Sequence, residues 1–259
     1  MSTYSPKRDP VRKVVPHAGI YGEALHQLDR MRMQKDPQWF VFESGLVTKD
    51  EHDAKHAMKP FPDEPSLRMV LECCCLSGGL LEPRDAALAL AHGYSLAALQ
   101  TIRDAGMLFI EKSRQVMATW VCCAYLLWRA KTQPHQLILV QSKREEDAAN
   151  LVYAKEAWQA RISFMETHLP FHLRTAKFPK AGAYAQLAFP NGSRIWGIPE
   201  GGDIVRSNTA SVIMADEAAF QPAFGDAYTA ALPAIHGGGS FIAISSAEQG
   251  AFADLVESV

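Results

Sequence analysis

The chain has 259 residues, 48% hydrophobic and 21% charged, ordinary globular values that exclude a disordered, collagenous or coiled-coil chain. Its 26 Lys and Arg against 28 Asp and Glu give a formal net charge of −2, so any nucleic-acid contact must use a local patch rather than bulk charge. Pro233, His236 and Gly237–Gly239 interrupt the uncharged stretch 227–247. Residues 115–128 are uncharged but too short for a bilayer, so no transmembrane segment is expected.

Residues 1–15 are polar and basic (Lys7, Arg8, Arg12, Lys13) and read as loose, with no apolar core of a signal peptide. Residues 17–33 carry Ile20, Ala24, Leu25, Leu28 and Met31 at helical spacing. Residues 36–66 read as a loop-rich connection holding Trp39, Phe40 and Phe42, punctuated by prolines. Residues 67–76 and 84–104 read as helices. From 107 onward short apolar runs alternate with helical patterns. Strands are expected at Met107–Glu111, Leu137–Gln141, Val212–Ala215 and Phe241–Ile244. Helices are expected at Thr119–Lys131 and Glu145–Phe164, the latter with Trp158 and Ile162 on its apolar side. Ala185–Phe189 and Arg194–Gly197 flank Pro190-Asn191-Gly192 as a hairpin. That alternation predicts an α/β core with a mostly parallel sheet covered by helices. The boundary is drawn between a helical and loop-rich region, 1–100, and the core, 101–259.

Three segments carry chemistry. Lys112-Ser113-Arg114-Gln115-Val116-Met117-Ala118-Thr119 follows a strand and opens a helix, where backbone N–H groups hold phosphate and a Ser or Thr hydroxyl holds Mg²⁺. Of the standard phosphate-loop pattern only Thr119 matches. Lys112 and Met117 stand at the two glycine places and Ala118 at the lysine place. The second segment, Ser211–Glu217, is an apolar strand ending in Asp216 and Glu217. Hydrolysis of ATP uses such a pair, one acid toward Mg²⁺ and its water, the other polarising the attacking water. The third, Phe241–Ala247, is an apolar strand ending in Ser245 and Ser246, a polar strand end suited to sensing a γ-phosphate. Each segment alone is weak. Their order and strand context point to a P-loop NTPase of the RecA-like kind.

On these residues the sequence resembles the large terminase subunit of tailed bacteriophages. Lys112–Thr119 with Trp120 is similar to that family's deviant phosphate loop, in which the lysine opens the loop. Met117 departs from its usual glycine. Val205–Phe220 is similar to its Arg-containing approach to Asp-Glu-Ala-Ala-Phe, and Ser245-Ser246-Ala247 to the segment that couples hydrolysis to motion. The resemblance implies an ATP-hydrolysing translocase that packages viral double-stranded DNA into a procapsid. Lys112 and Arg114 would hold the β- and γ-phosphates, with Ser113, Gln115, Val116, Met117 and Ala118 completing the loop. Thr119 and Asp216 would hold Mg²⁺, and Glu217 would position water. Arg206 would act on a neighbouring subunit's nucleotide, against the alternative of a cis salt bridge to Asp203 or Glu200. An Ala118→Lys change is expected to be tolerated or even to improve binding. The implied partners are a portal protein, a small terminase subunit and copies of the chain in a ring, with no membrane. The implied location is the infected host's cytoplasm at the portal vertex. The chain reads as the motor domain alone, without the nuclease domain usual in the family. Rival readings are another RecA-like motor such as a helicase, a nucleotide-dependent or inactive DNA-docking module, and an adaptor built on the 17–104 helices.

Other residues read as ordinary. Cys73, Cys74, Cys75, Cys122 and Cys123 suit buried thiols in a reducing compartment. Three consecutive helical cysteines cannot share one ion. His52 and His56 lack a companion ligand set. Trp120, Tyr125 and Trp128 read as core, and His236 as a turn. Gln100 is a poorly spaced adenine candidate. Lys143, Arg144, Arg174, Lys177 and Lys180 are candidate DNA-phosphate contacts.

Overall fold

The computed structural model describes residues 20–49, 58–113, 117–156, 158–175 and 185–258. Ahead of the sheet come α1 (Ile20–Lys35), α2 (Pro37–Phe42), a ribbon of β1 (Val47–Lys49) and β2 (Met58–Pro60), α3 (Pro65–Ser77), α4 (Ala87–Ala91) and α5 (Leu96–Ala105). Then follow β3 (Met107–Glu111), α6 (Ala118–Thr132), β4 (Leu137–Ser142), α7 (Glu145–Val152), α8 (Arg161–His168), β5 (Gln186–Ala188) and β6 (Arg194–Pro199). The chain continues through α9 (Asp203–Arg206), β7 (Val212–Asp216), α10 (Phe224–His236), β8 (Ser240–Ser245) and α11 (Ala251–Ser258).

The main sheet runs β3-β8-β7-β4-β6-β5, parallel except for the β5–β6 hairpin. Side chains alternate between its two faces. Ile138, Val140, Val212, Met214, Ile242 and Ile244 join one core with α3 and α6. Leu139, Ile213, Ala215, Phe241 and Ala243 join the other with α10 and Phe252 of α11. The fold is α/β and RecA-like, a mostly parallel sheet with helices on both faces.

α6 is buried along its whole length, as a helix apolar on all sides must be. The charges of its last turn are paired. Arg129 donates to Tyr125 Oη at 2.9 Å and to Gln136 Oε1 at 3.1 Å. Lys131 donates to Glu166 Oε2 at 2.7 Å. Burial lowers the Lys131 pKa, and Glu166 opposes that shift. The hairpin turn closes the same helix end, since Asn191 Nδ2 donates to the carbonyls of Ala130 and Gln133 at 2.9 and 3.1 Å. Gly192 turns there with φ +84°, and a Cβ would meet the His135 ring at 2.6 Å, so only glycine fits.

Several local readings are corrected. The helix expected over Glu145–Phe164 is two helices. α7 packs on β4 and β6, where a Cβ on Gly197 would lie 2.9 Å from Ala148 O. α8 packs on α6 and β1, and one straight helix cannot cover both surfaces. Between them Gln159 Oε1 accepts from Glu156 N at 3.1 Å, the local side-chain bond that competes with helix. Trp158 is exposed rather than apolar-side core. The helix expected over 84–104 is likewise broken. Buried Glu72 accepts from Leu88 N and Ala89 N at 3.0 and 2.9 Å, fixing the start of α4. Gly93 turns with φ +92°, and Ser95 Oγ caps α5 by accepting from Ala98 N at 3.1 Å. The connection 36–66 contains α2, with Trp39, Phe40 and Val41 buried, and the β1–β2 ribbon. No helix among the described residues is long and apolar enough to cross a membrane.

Candidate active site

The site lies at the C-terminal ends of β3, β7 and β8. β8 is inserted between β3, which leads into the phosphate-loop segment, and β7, which ends in the acid pair. Carboxyl ends of parallel strands are where α/β sheets present ligand-binding groups.

Lys112 leaves β3 with its N–H donating to Ser245 O at 2.9 Å. Its Nζ donates to Glu217 Oε1 at 3.1 Å. Ser113 is exposed, and Arg114, Gln115 and Val116 lie outside the described residues. Met117 occupies the N-cap position of α6 with φ −68° and ψ 11°. No left-handed backbone is needed there, so a glycine has no conformational advantage at that position. Ala118, first in α6, is only 2% exposed and belongs to the core. This corrects the expectation that lysine is tolerated at 118, because the added charge would be buried.

Thr119 Oγ1 donates to Asp216 Oδ1 at 3.1 Å, and both residues are buried. Burial is the main cause that raises the Asp216 pKa, and adjacent Glu217 adds to it. Arg161, Lys112 and the Thr119 hydroxyl oppose the shift. Gln221 Nε2 donates to Asp216 O at 2.8 Å, fixing the turn after the strand. Gln221 Oε1 is buried without a hydrogen-bond partner in this structure.

Glu217 has φ +50° and ψ +45°, left-handed for a residue that is not glycine. Such backbone costs on the order of 1 kcal/mol or more and is common at functional sites. The turn aims the carboxylate at Lys112 rather than along the strand. Ser245 is fully buried and its Oγ accepts from Ala219 N at 3.1 Å. One serine thus touches the start of the phosphate-loop segment through its carbonyl and the acid-pair turn through its hydroxyl. Ser246 is half-buried beside it.

Arg206 closes α9 exposed, its Nη1 3.2 Å from Asp203 Oδ1. This is the cis pair weighed from the sequence. A Cβ on Gly202 would stand 2.9 Å from the guanidinium carbon. Glu200 instead accepts from Ala223 N at 3.2 Å. Gln141, at the end of β4, donates to Gly201 O at 3.2 Å and ties the Arg206 loop to the sheet.

Of the DNA candidates, Arg144 pairs with Asp147 at 2.9 Å and Arg174 donates to Leu169 O. Lys177, Lys180, His52 and His56 lie outside the described residues. Gln100 is exposed and donates to Asp104 at 2.8 Å. The five cysteines are buried free thiols, and burial pushes Cys73 up to about 12. His236 is exposed at the end of α10. Sequence reading missed Arg161, Gln141 and Gln221, which no local pattern marks.

No protein-family model matches the chain, and no curated protein matches it. Among solved structures, the large terminase of bacteriophage HK97 superimposes with a TM-score of 0.53 at 14% identity, over 83% of this chain and 37% of that one. The ATPase domain of the Thermus phage P74-26 large terminase gives 0.41 at 14% identity, over 57% of this chain and 62% of that one. The chain therefore spans less than two thirds of either. Its fold is the one found in a phage large terminase.

Proposed function

We propose that the chain is the ATP-hydrolysing motor of a machine that packages double-stranded DNA into a viral procapsid. The observation that carries this reading is the convergence of two sequence-distant pairs at one sheet edge. Thr119 meets Asp216, and Lys112 meets Glu217, each at 3.1 Å. The Thr119 hydroxyl and the Asp216 carboxylate are hard oxygen donors and fit Mg²⁺, which keeps most of its shell as water and phosphate oxygens. When bound, the ion would neutralise charge on the β- and γ-phosphate oxygens.

In this reading Lys112 exchanges Glu217 for phosphate when ATP binds, with Arg114 and the rest of 112–119 around it. Glu217 is then released to orient the attacking water. Ser245, bonded to both the Lys112 N–H and the Ala219 N–H, moves with either, and Ser246 extends that link toward the surface that grips DNA. Arg206 leaves Asp203 and serves a neighbouring subunit's γ-phosphate. The ring, the portal protein, the small terminase subunit and the host cytoplasm at the portal vertex complete the assignment. Residues 1–100 form its helical region and 101–259 its ATPase core.

The test is phosphate release from Mg-ATP by the purified chain, with and without double-stranded DNA. DNA-stimulated turnover supports the reading. ATP binding without turnover favours a nucleotide-dependent docking module, and no ATP binding refutes the motor reading.

A further inference from the structure

α8 begins at Arg161, and its first turn lies on the first turn of α6. Trp120, third in α6 and buried, meets α8 twice. Phe164 packs edge-on, with ring centroids 6.4 Å apart, and the Arg161 guanidinium carbon stands 5.7 Å from the Trp120 ring centroid. Arg161 and Phe164 are three apart on one helical face, so a single indole holds both in place. Trp120 follows Thr119, whose hydroxyl reaches Asp216. A planar, permanently charged group from a distant segment is thereby fixed beside the helix turn that receives the phosphate-loop segment.

That turn lacks positive charge of its own. Backbone N–H groups there can hold an anion, but Ala118 offers none of the charge a lysine brings. An ion held by Thr119 and Asp216 would neutralise charge on the terminal phosphates, and Arg161, over the Trp120 that follows Thr119, stands at that end of α6. Resting on the reading of this site as an ATP site, we propose that Arg161 contacts the γ-phosphate of the bound nucleotide in cis, supplying the charge missing at position 118. A guanidinium can stack on an indole and still present its donors to phosphate. Arg161 also leads the favourable charges acting on the Asp216 carboxylate, ahead of Lys112.

Calorimetric titration of the full chain with Mg-ATP and Mg-ADP tests this, alongside melting temperatures. Arg161→Ala should weaken ATP binding by roughly tenfold to a hundredfold, the loss of one charge-assisted contact. ADP binding should stay within about threefold and the melting temperature within a few degrees, because ADP lacks the γ-phosphate. Arg161→Lys should recover part of the ATP affinity. If Arg161→Ala melts far below wild type, Arg161→Gln, which keeps a planar group over Trp120 without the charge, carries the same test. Unchanged ATP affinity, or equal losses for ATP and ADP, overturns the proposal and leaves Arg161 a packing residue. A wild-type chain that binds neither nucleotide overturns the ATP reading, and this proposal with it.

Discussion

Replacing Glu217 separates its chemistry from its backbone. Glu217→Gln keeps shape and left-handed φ but removes the carboxylate that would orient water. It also weakens the pair with Lys112. The Glu217 side chain is 42% exposed, so that pair is worth no more than about 1 kcal/mol. Turnover should fall by roughly a hundredfold or more, the scale of a lost general base, while melting shifts by at most a few degrees. Glu217→Gly loses the same pair but relieves the strain of φ +50°, a gain of about 1 kcal/mol. The two effects nearly cancel, so the glycine variant should be inactive yet melt at or slightly above the glutamine variant. Phosphate release and thermal melting on the same preparations check this. Substantial hydrolysis by either variant would refute the role of Glu217. A glycine variant that melts well below the glutamine one would refute the strain argument.

Lys112→Ala should weaken ATP binding with little change in melting. Ala118→Lys should instead destabilise by about 2 kcal/mol or more, since the ammonium enters a core position, and melting of the two variants separates the cases. Asp216→Asn should abolish Mg-dependent turnover yet raise stability at neutral pH. Burial holds the folded pKa of Asp216 above its ordinary 3.8, so the carboxyl costs no stability below that value and an increasing amount as pH rises through the folded pKa. The stabilisation by Asn should therefore vanish below about pH 3.8, and melting curves across pH would expose the opposite trend. Mixing Arg206→Ala with Glu217→Gln chains should restore part of the ATPase activity if Arg206 acts across a subunit boundary. No recovery where rings demonstrably form would leave Arg206 in its cis pair with Asp203.

The strands were legible wherever an apolar run ended in chemistry. β7 running into Asp216 and Glu217, and β8 into Ser245, needed only local pattern, because a buried parallel strand is a short apolar run. The hairpin at Pro190–Gly192 was legible for the same local reason. Sequence order also brought out the three site segments and the resemblance they carry. What sequence could not provide was anything set by partners far along the chain. The break between α7 and α8 exists because β6 and α6 present different surfaces to one amphipathic stretch. α4 starts where Glu72 reaches across to cap it. Met117 can stand where a glycine was expected because its own φ, −68°, needs no left-handed backbone, and no residue pattern reports that angle. The left-handed turn at Glu217 is held by packing around it: Ser245 receives the Ala219 N–H, and Gln221 donates to the Asp216 carbonyl. Arg161 had no local signal at all, since its place beside the first turn of α6 depends on α8 folding back over Trp120. Periodicity reports which face of an element is buried. Only the folded chain determines which distant residue that face meets.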